Sequence, residues 1–359
     1  MKIGILGGGQ LALMMIESIK DEDIDFIVVD PNENPPASKV VKCIKSEFDD
    51  ENTLNMLSEQ CDIVTIDFEN VPSSSLRFLE NKVTVHPNSN AVELCQDRLK
   101  EKMLFQECGI PVTNFQKIDN LEELYDISKK FSDDSILKSR FFGYDGKNQV
   151  YLKNYTMKEA FSMCGSKNLI LEKKVEFTKE LSIIGSRSQT GETIFFPLVE
   201  NVHSNGILNH SIAPFVDSDL QAKAETYHKK LATKMNYVGV LVIEFFLDNN
   251  NILIANEMAP RVHNSGHWTI EGANVSQFEA HIRTIANIPL KNIEIHGFSA
   301  MINILSEIPQ KLLAEFSDDK GFHDYGKEKR LNRKLAHLTI NDDDKSVLLK
   351  KLEKVKNII

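Results

Sequence analysis

Val240-Leu241-Val242-Ile243-Glu244-Phe245-Phe246-Leu247 and Ile252-Leu253-Ile254-Ala255-Asn256-Glu257 flank the polar run Asp248-Asn249-Asn250-Asn251. The pattern is two apolar strands around a turn, each strand interrupted by one glutamate. A two-residue turn at Asn250-Asn251 fits, because asparagine tolerates the positive φ such turns need. That register sets Glu244 directly opposite Glu257. Facing carboxylates have Cβ atoms ~4.5–5.5 Å apart and repel, so one is protonated or a cation lies between them. An all-oxygen pair favours Mg²⁺, with Mn²⁺ as the alternative, the shell being completed by phosphate and water. A shifted register with one glutamate in solvent is the other reading; the interruption of otherwise apolar strands favours the metal.

The second strand runs on into Met258-Ala259-Pro260-Arg261-Val262-His263-Asn264-Ser265-Gly266-His267-Trp268, which carries an arginine, two histidines and the only tryptophan. Polar side chains gathered where a strand gives way to a loop are a usual place for chemistry.

Upstream, Ser135-Ile136-Leu137-Lys138 and Val150-Tyr151-Leu152 read as strands around Arg140-Phe141-Phe142-Gly143-Tyr144-Asp145-Gly146-Lys147-Asn148-Gln149. Two glycines three apart, with Lys138 and Lys147 beside them, describe either a basic hairpin loop able to cradle phosphate or an ordinary hairpin with exposed lysines. No G-x-x-x-x-G-K-[ST] occurs in the chain. Strands continue at 169–175, 180–185, 193–198 and 200–203, and a helix spans roughly 218–235.

The N-terminal third alternates strands (2–6, 24–29, 63–67, 83–86) with helical stretches, which implies a small parallel sheet. Gly7-Gly8-Gly9-Gln10-Leu11-Ala12 fits G-x-G-x-x-G/A, and Asp30 stands where a ribose-binding acid would. Dinucleotide binding and a plain tight β–α turn both satisfy these residues. Glu69 lies just past a strand's carboxyl end, where open α/β sheets bind ligands. A helix is expected from about Asn88 to Cys108, with Arg98 in its middle beside Asp97 as an intrahelical ion pair.

At 359 residues and 42% hydrophobic content the chain can bury cores for two or three domains. Its net charge of −10 argues against nucleic-acid binding as the main purpose. Five scattered cysteines suit a reducing cytosol, and no apolar run approaches a bilayer span, so a soluble cytoplasmic protein is expected.

Two motifs together, Gly143-Tyr144-Asp145-Gly146-Lys147 and the run from Asn256 to Trp268, resemble the ATP-grasp ligases, specifically the N5-carboxyaminoimidazole ribonucleotide synthetase family. Tyr325-Gly326-Lys327-Glu328 with Arg330, Arg333, Lys334 and His337 resembles that family's C-terminal element. The resemblance covers almost the whole chain. It implies an α/β and α+β chain with a Rossmann-like parallel-sheet domain (1–95), an ATP-grasp domain (96–290; lid about 110–175, metal-binding part about 176–290) and a small β-rich C-terminal domain (291–359). The implied activity is carboxylation of aminoimidazole ribonucleotide by bicarbonate and ATP, through carboxyphosphate.

By resemblance, Arg98, Lys138 and the loop Gly143, Tyr144, Asp145, Gly146, Lys147, Asn148, Gln149 meet the ATP phosphates. Glu172, Lys173, Lys174 and Val175 form the adenine hinge, with Glu180 on ribose, His203 and Asn256 nearby, and Glu244 and Glu257 on the metal. The acceptor side takes Glu69, Tyr144, Asp145, Arg261, His263, Asn264, Ser265, Lys327 and Arg333. Lys147, Arg261 and Asp145 are assigned to the chemistry itself, Lys147 or Arg261 holding bicarbonate or carboxyphosphate. The family precedent is a homodimer. The chain departs from the family at Ala12-Leu13, at Lys147, where an arginine is usual and lysine loses the bidentate fork, and at Asn332. A formate-using phosphoribosylglycinamide transformylase is the neighbouring alternative, and the 256–268 run favours the carboxylating enzyme. A nicotinamide-dependent oxidoreductase would leave the opposed glutamates unexplained.

Overall fold

The computed structural model describes residues 1–131, 134–143, 148–290 and 292–359. The N-terminal strands β1 (Lys2–Leu6), β2 (Asp25–Asp30), β3 (Cys43–Lys45), β4 (Ile63–Ile66) and β5 (Thr84–Val85) form a wholly parallel sheet in the order β3-β2-β1-β4-β5. Parallel strands are buried on both faces. Here α1 (Gln10–Glu17) covers one face, while α2 (Glu51–Gln60) and α3 (Ser73–Glu80) cover the other with Leu54, Leu57, Leu76 and Leu79. Strand order reverses between β1 and β4. Their carboxyl ends, Gly7–Gln10 and Asp67–Glu69, are therefore where such a sheet presents a ligand crevice.

The helix expected over 88–108 is two: α4 (Ser89–Gln96) and α5 (Arg98–Glu107), broken at Asp97. Asp97 has extended φ and ψ (−119°, 104°) and accepts from Leu99 N as the cap of α5. Capping is the commoner use of an aspartate beside a helix start. Arg98 is accordingly the first residue of α5, and Asp97 pairs not with it but with Arg140, whose Nε donates at 2.9 Å.

A four-stranded antiparallel sheet follows, with β6 (Phe115–Ile118), β7 (Ser135–Ser139), β8 (Gln149–Tyr151) and β9 (Leu169–Lys173) in the order β6-β9-β7-β8. Helices α6 (Leu121–Ser128) and α7 (Met157–Met163) back it, and it keeps its own small core around Leu124, Leu137 and Leu171. The remaining strands build one larger sheet: β10 (Lys179–Arg187), β11 (Thr193–Phe195), β12 (Val199–Ser204), β13 (Ile207–Ala213), β14 (Gly239–Leu247), β15 (Leu253–Ala259), β16 (Phe298–Leu305), β17 (Phe322–Asp324) and β18 (Lys334–Asp342). Its order is β15-β14-β10-β12-β13-β16-β18-β17, with β11 beside β10. The C-terminal strands thus continue the sheet that carries Glu244 and Glu257, through the β13–β16 pairing. Helices α8 (Ser218–Lys234) and α10 (Gln277–Ile285) cover its first half, and α9 (Thr269–Gly272), α11 (Gln310–Phe316) and α12 (Lys345–Lys356) its second.

His281 on α10 fastens the two large sheets together. Its Nδ1 accepts from Val240 N at 3.1 Å, so Nε2 carries the proton and donates to Thr65 Oγ1 at 2.9 Å. Burial holds its pKa at about 3, which keeps the ring neutral for both bonds. The β4 end bearing Glu69 is thereby held against the strand bearing Glu244. Among the described residues no helix is long and apolar enough to cross a membrane.

Candidate functional site

Glu244 and Glu257 do face each other, but by a different route from the expected two-residue turn. Near the turn Leu247 pairs with Leu253 and Phe245 with Ala255, one residue out of the register that would oppose the glutamates. The connection is a three-residue loop, 249–251, with Asn251 at φ 58° and Asp248 Oδ1 accepting from Asn250 N and Ile252 N at 2.8 Å each. A β-bulge then leaves Asn256 without a cross-strand partner and restores the pairing Glu244↔Glu257, Ile243↔Met258. Bulges re-aim side chains and recur beside active sites.

The pair is electrically asymmetric. Glu244 keeps only 15% of its side-chain surface accessible; burial first and the Glu257 charge second push its pKa up to about 7. Glu257 keeps 40%. Burial opposes its ionisation, but the Arg98 guanidinium (Nη1 to Oε2, 3.0 Å) holds it below the usual carboxylate range. His263 Nε2 lies 3.2 Å from Glu244 Oε1. Its Nδ1 accepts from Ser265 N at 3.3 Å, so in the neutral ring the proton sits on Nε2, on the side of Glu244. Burial and then Arg261 and Lys334 keep His263 neutral.

Three cavities meet at Glu257, and Glu244 lines two of them. The first, about 280 Å³, lies between the small and large sheets. Its polar end holds Arg98, Lys138, Asn256 and the two glutamates. Its apolar end holds Ile136, Val175 and the stacked rings of Phe177 and Phe246, 4.6 Å between centroids. Gln149, Lys173, Lys174, Glu180 and His203 also line it. Lys138 is bound to Glu172, Nζ to Oε2 at 2.8 Å, with Lys102 3.6 Å from the same oxygen; burial resists, but the two lysines hold Glu172 at about 2. Glu172 is therefore first an anchor for Lys138, a role its hinge position did not suggest, although its Oε1 has no partner among the described residues and the residue lines the cavity. His203 Nδ1 bonds Glu180 Oε2; burial opposes the rise, but that bond and the nearby glutamates raise its pKa.

The second cavity, about 580 Å³, lies at the β1/β4 switch point. It is lined by Gly7, Gln10, Asp67, Glu69, Arg261, His263, Asn264 and Lys334. Both amide atoms of Asn264 are buried with no partner among the described residues, leaving them to bond a ligand in the cavity. Arg261 Nε donates to Glu69, and the guanidinium lowers the Glu69 pKa against the effect of burial. Lys327 Nζ bonds Gln10 Oε1, and burial with the charges of Arg333 and Lys334 lowers it to about 8. A small cavity of about 70 Å³ joins the two, and Glu257 lines all three.

Several expected positions resolve differently. Ser265 is fully buried, bonded to Ser182 Oγ at 2.9 Å and to His263, so it supports the ring and does not line the cavity. Arg333 donates to Glu328 O at 3.2 Å and lines none of these cavities, whereas its neighbour Lys334 does. Asn148 turns at φ 56°, its amide bonded to Phe142 O at 3.4 Å, outside the cavity linings. His267 and Trp268, never assigned to the site, are core residues. Tyr144, Asp145, Gly146 and Lys147 lie outside the described residues. Gly143 earns its identity: its carbonyl accepts from Arg98 Nη2 at 3.2 Å, and a Cβ there would lie 2.9 Å from that nitrogen. The dinucleotide fingerprint has another use. Asp67 Oδ2 accepts from Ala12 N at 3.4 Å at the start of α1, Gly7 takes φ 105° where a Cβ would lie 1.7 Å from Asp67 Oδ1, and Asp30 accepts from Gly8 N at 2.7 Å. A carboxylate already occupies the helix start that a pyrophosphate would need. Lys102, Phe177 and Phe246 had no sequence signal beyond their residue types, and Lys334 was named only as part of the C-terminal element.

Comparison with known proteins shows the family. Residues 1–96 match the ribonucleotide synthetase preATP-grasp domain, 103–278 the ATP-grasp domain and 299–351 the phosphoribosylaminoimidazole carboxylase C-terminal domain. The N5-carboxyaminoimidazole ribonucleotide synthase of Pseudomonas aeruginosa is 39% identical, covering 100% of this chain and 99% of its own length. The crystal structure of the Thermus thermophilus synthetase superposes with TM-score 0.93 at 40% identity, covering 99% of this chain and 98% of its own. That of the Aspergillus clavatus synthase with ADP and 5-aminoimidazole ribonucleotide gives TM-score 0.91 at 27% identity, over 99% and 98%.

Proposed function

This chain belongs to the N5-carboxyaminoimidazole ribonucleotide synthase family of ATP-grasp ligases, and from that premise we propose how its residues divide the reaction. The activity is ATP-dependent conversion of 5-aminoimidazole ribonucleotide to N5-carboxyaminoimidazole ribonucleotide in purine biosynthesis. One observation carries the division of labour: Glu257 lines the nucleotide cavity, the acceptor cavity and the passage between them.

The nucleotide base lies between Ile136, Val175 and the Phe177–Phe246 stack, with Lys138 and Arg98 on the phosphates. Glu180 and His203 meet the ribose side. Among the described residues no cluster of three or more His, Cys, Asp or Glu could hold a metal alone. Two opposed carboxylates with room for phosphate oxygens are the donor set Mg²⁺ or Mn²⁺ accepts. When bound, the cation offsets the charge that gathers on the transferring phosphoryl group. Glu244, with the neutral His263 ring 3.2 Å away, is the ligand that must shed its proton first.

A bicarbonate oxygen attacks the γ-phosphorus as the bond to ADP breaks, giving carboxyphosphate. The exocyclic amine of the acceptor then attacks the carboxyl carbon, phosphate leaves and the nitrogen gives up a proton. Arg261, beside Glu69 in the connecting cavity, holds the bicarbonate and then the carboxyphosphate. Lys147 and Asp145 keep the roles the resemblance gives them. Asn264 addresses the acceptor, and the cationic group of Lys327, Arg333 and Lys334 attracts its phosphate. The division into domains at 1–95, 96–290 and 291–359, a homodimer and a reducing cytosol complete the reading; the five free cysteines suit that compartment.

ADP release tests the assignment. It should require both bicarbonate and 5-aminoimidazole ribonucleotide; turnover indifferent to the ribonucleotide, or supported by formate with glycinamide ribonucleotide, overturns it.

A further inference from the structure

Residues 98, 101 and 102 share one face of α5, spaced i, i+3 and i+4. That face lies along the bulge of β15, which is the edge strand of the large sheet. Each residue grips one of three consecutive positions. Lys102 Nζ donates to Asn256 O at 3.1 Å, Arg98 Nη1 donates to Glu257 Oε2 at 3.0 Å, and Glu101 Oε1 accepts from Met258 N at 2.6 Å. Lys102 is 1% exposed and Glu101 2%. Burying an ammonium and a carboxylate is costly unless both are paired, and a methionine would fill the lysine's space without that cost. The charge of Lys102 is used twice, because the same Nζ stands 3.6 Å from the Glu172 oxygen that holds Lys138.

We propose that Lys102 is a positioning residue. By fixing the carbonyl of the bulged Asn256 and sharing Glu172 with Lys138, it sets the metal-binding carboxylate of Glu257 and the phosphate-binding lysine in one geometry. Bulged backbone has no ladder bond to hold it, so this tie fixes the position from which the strand resumes its pairing at Glu257, whose carboxylate Arg98 then aims. The proposal rests on the reading of Glu257 as a metal ligand given above.

The test is Mn²⁺ affinity of the full chain in the presence of ADP, read by electron paramagnetic resonance, beside ADP affinity without metal. Lys102→Met should weaken Mn²⁺ binding roughly 10- to 100-fold, the range for partners that orient metal ligands. Metal-free ADP binding should change less than about threefold, and Lys102→Arg should recover most of the loss. Should Lys102→Met fail to fold, Lys102→Gln, one bond shorter than lysine and so out of reach of Asn256 O, loses both the tie and the charge beside Glu172, and the same metal-selective loss is expected. Mn²⁺ affinity within about twofold of the parent in a folded variant, or equal losses for metal and metal-free ADP, overturns the proposal. A parent protein that releases ADP without regard to bicarbonate and acceptor would instead overturn the functional reading, whatever the metal does.

Discussion

The nucleotide cavity and the acceptor cavity meet at one carboxylate and are built in opposite ways. The first is lined mostly from strands: β7, β8 and β9 on one side, β10, β12, β14 and β15 on the other. Strand periodicity fixes which side chains face inward, so an apolar strand broken by a single charge points to its own site. The acceptor cavity is assembled from loops after β1, β2, β4 and β15, with Lys334 arriving from the start of β18. Strand ends bring substrate groups from several segments together without any local pattern to announce it. The difference teaches that the ATP side of this reaction is written in spacing and the acceptor side in topology.

The comparison breaks most completely at the shared residue. Glu257→Gln should reduce acceptor-dependent ADP release by roughly a thousandfold or more, because it removes one ligand of a metal that stabilises phosphoryl transfer. Its thermal midpoint should stay close to the parent's, and activity within about tenfold of the parent would remove Glu257 from the metal. The next largest effects should separate the sides. Arg261→Ala should lower kcat/KM for the ribonucleotide about 100-fold and leave the KM for ATP within about threefold, since a charged, bidentate-capable donor is lost from the acceptor side only. Lys138→Ala should do the reverse, and steady-state kinetics with each substrate varied in turn would reveal a failure of either.

Acidity should act on the metal. Glu244 titrates near 7 because of burial and the Glu257 charge, so below that value it must lose a proton before it can bind a cation. Mn²⁺ affinity in the presence of ADP should fall up to about tenfold per unit as pH drops below 7, and a flat profile from about pH 8 to about pH 6 would contradict this. In the apo protein the sign is the opposite. A carboxyl raised above its unfolded value favours the fold while protonated, and that contribution is lost as pH rises from the unfolded value towards about 7. The smallest effect should come from the apolar wall: Phe246→Ala should weaken ADP binding by roughly tenfold through the lost stack and leave ribonucleotide KM unchanged.

Legibility followed the same divide. The parallel sheet, the opposed glutamates and the glycine at 143 could be read from pattern and resemblance. The glutamate pairing was right through two compensating shifts: a three-residue loop where two residues were expected, and a bulge at Asn256 that no periodicity encodes. The break at Asp97 was hidden because aspartate serves equally as a helix-surface acid or as a cap, and only the arrival of Arg140 from another segment decides. Glycines after β1 looked like a pyrophosphate loop until Asp67, far along the chain, was seen to fill the space. Arg333 and Lys334 differ by one step at a strand start, and which of them turns to the cavity depends on how β18 joins the sheet.

The central claim is that phosphate and carboxyl pass from one cavity to the other beside Glu257 as carboxyphosphate. The most direct measurement supplies ¹⁸O-labelled bicarbonate with ATP and 5-aminoimidazole ribonucleotide and follows the label into released phosphate. Transfer of one bicarbonate oxygen to each phosphate formed is the predicted result; phosphate carrying oxygen from water alone would contradict the account.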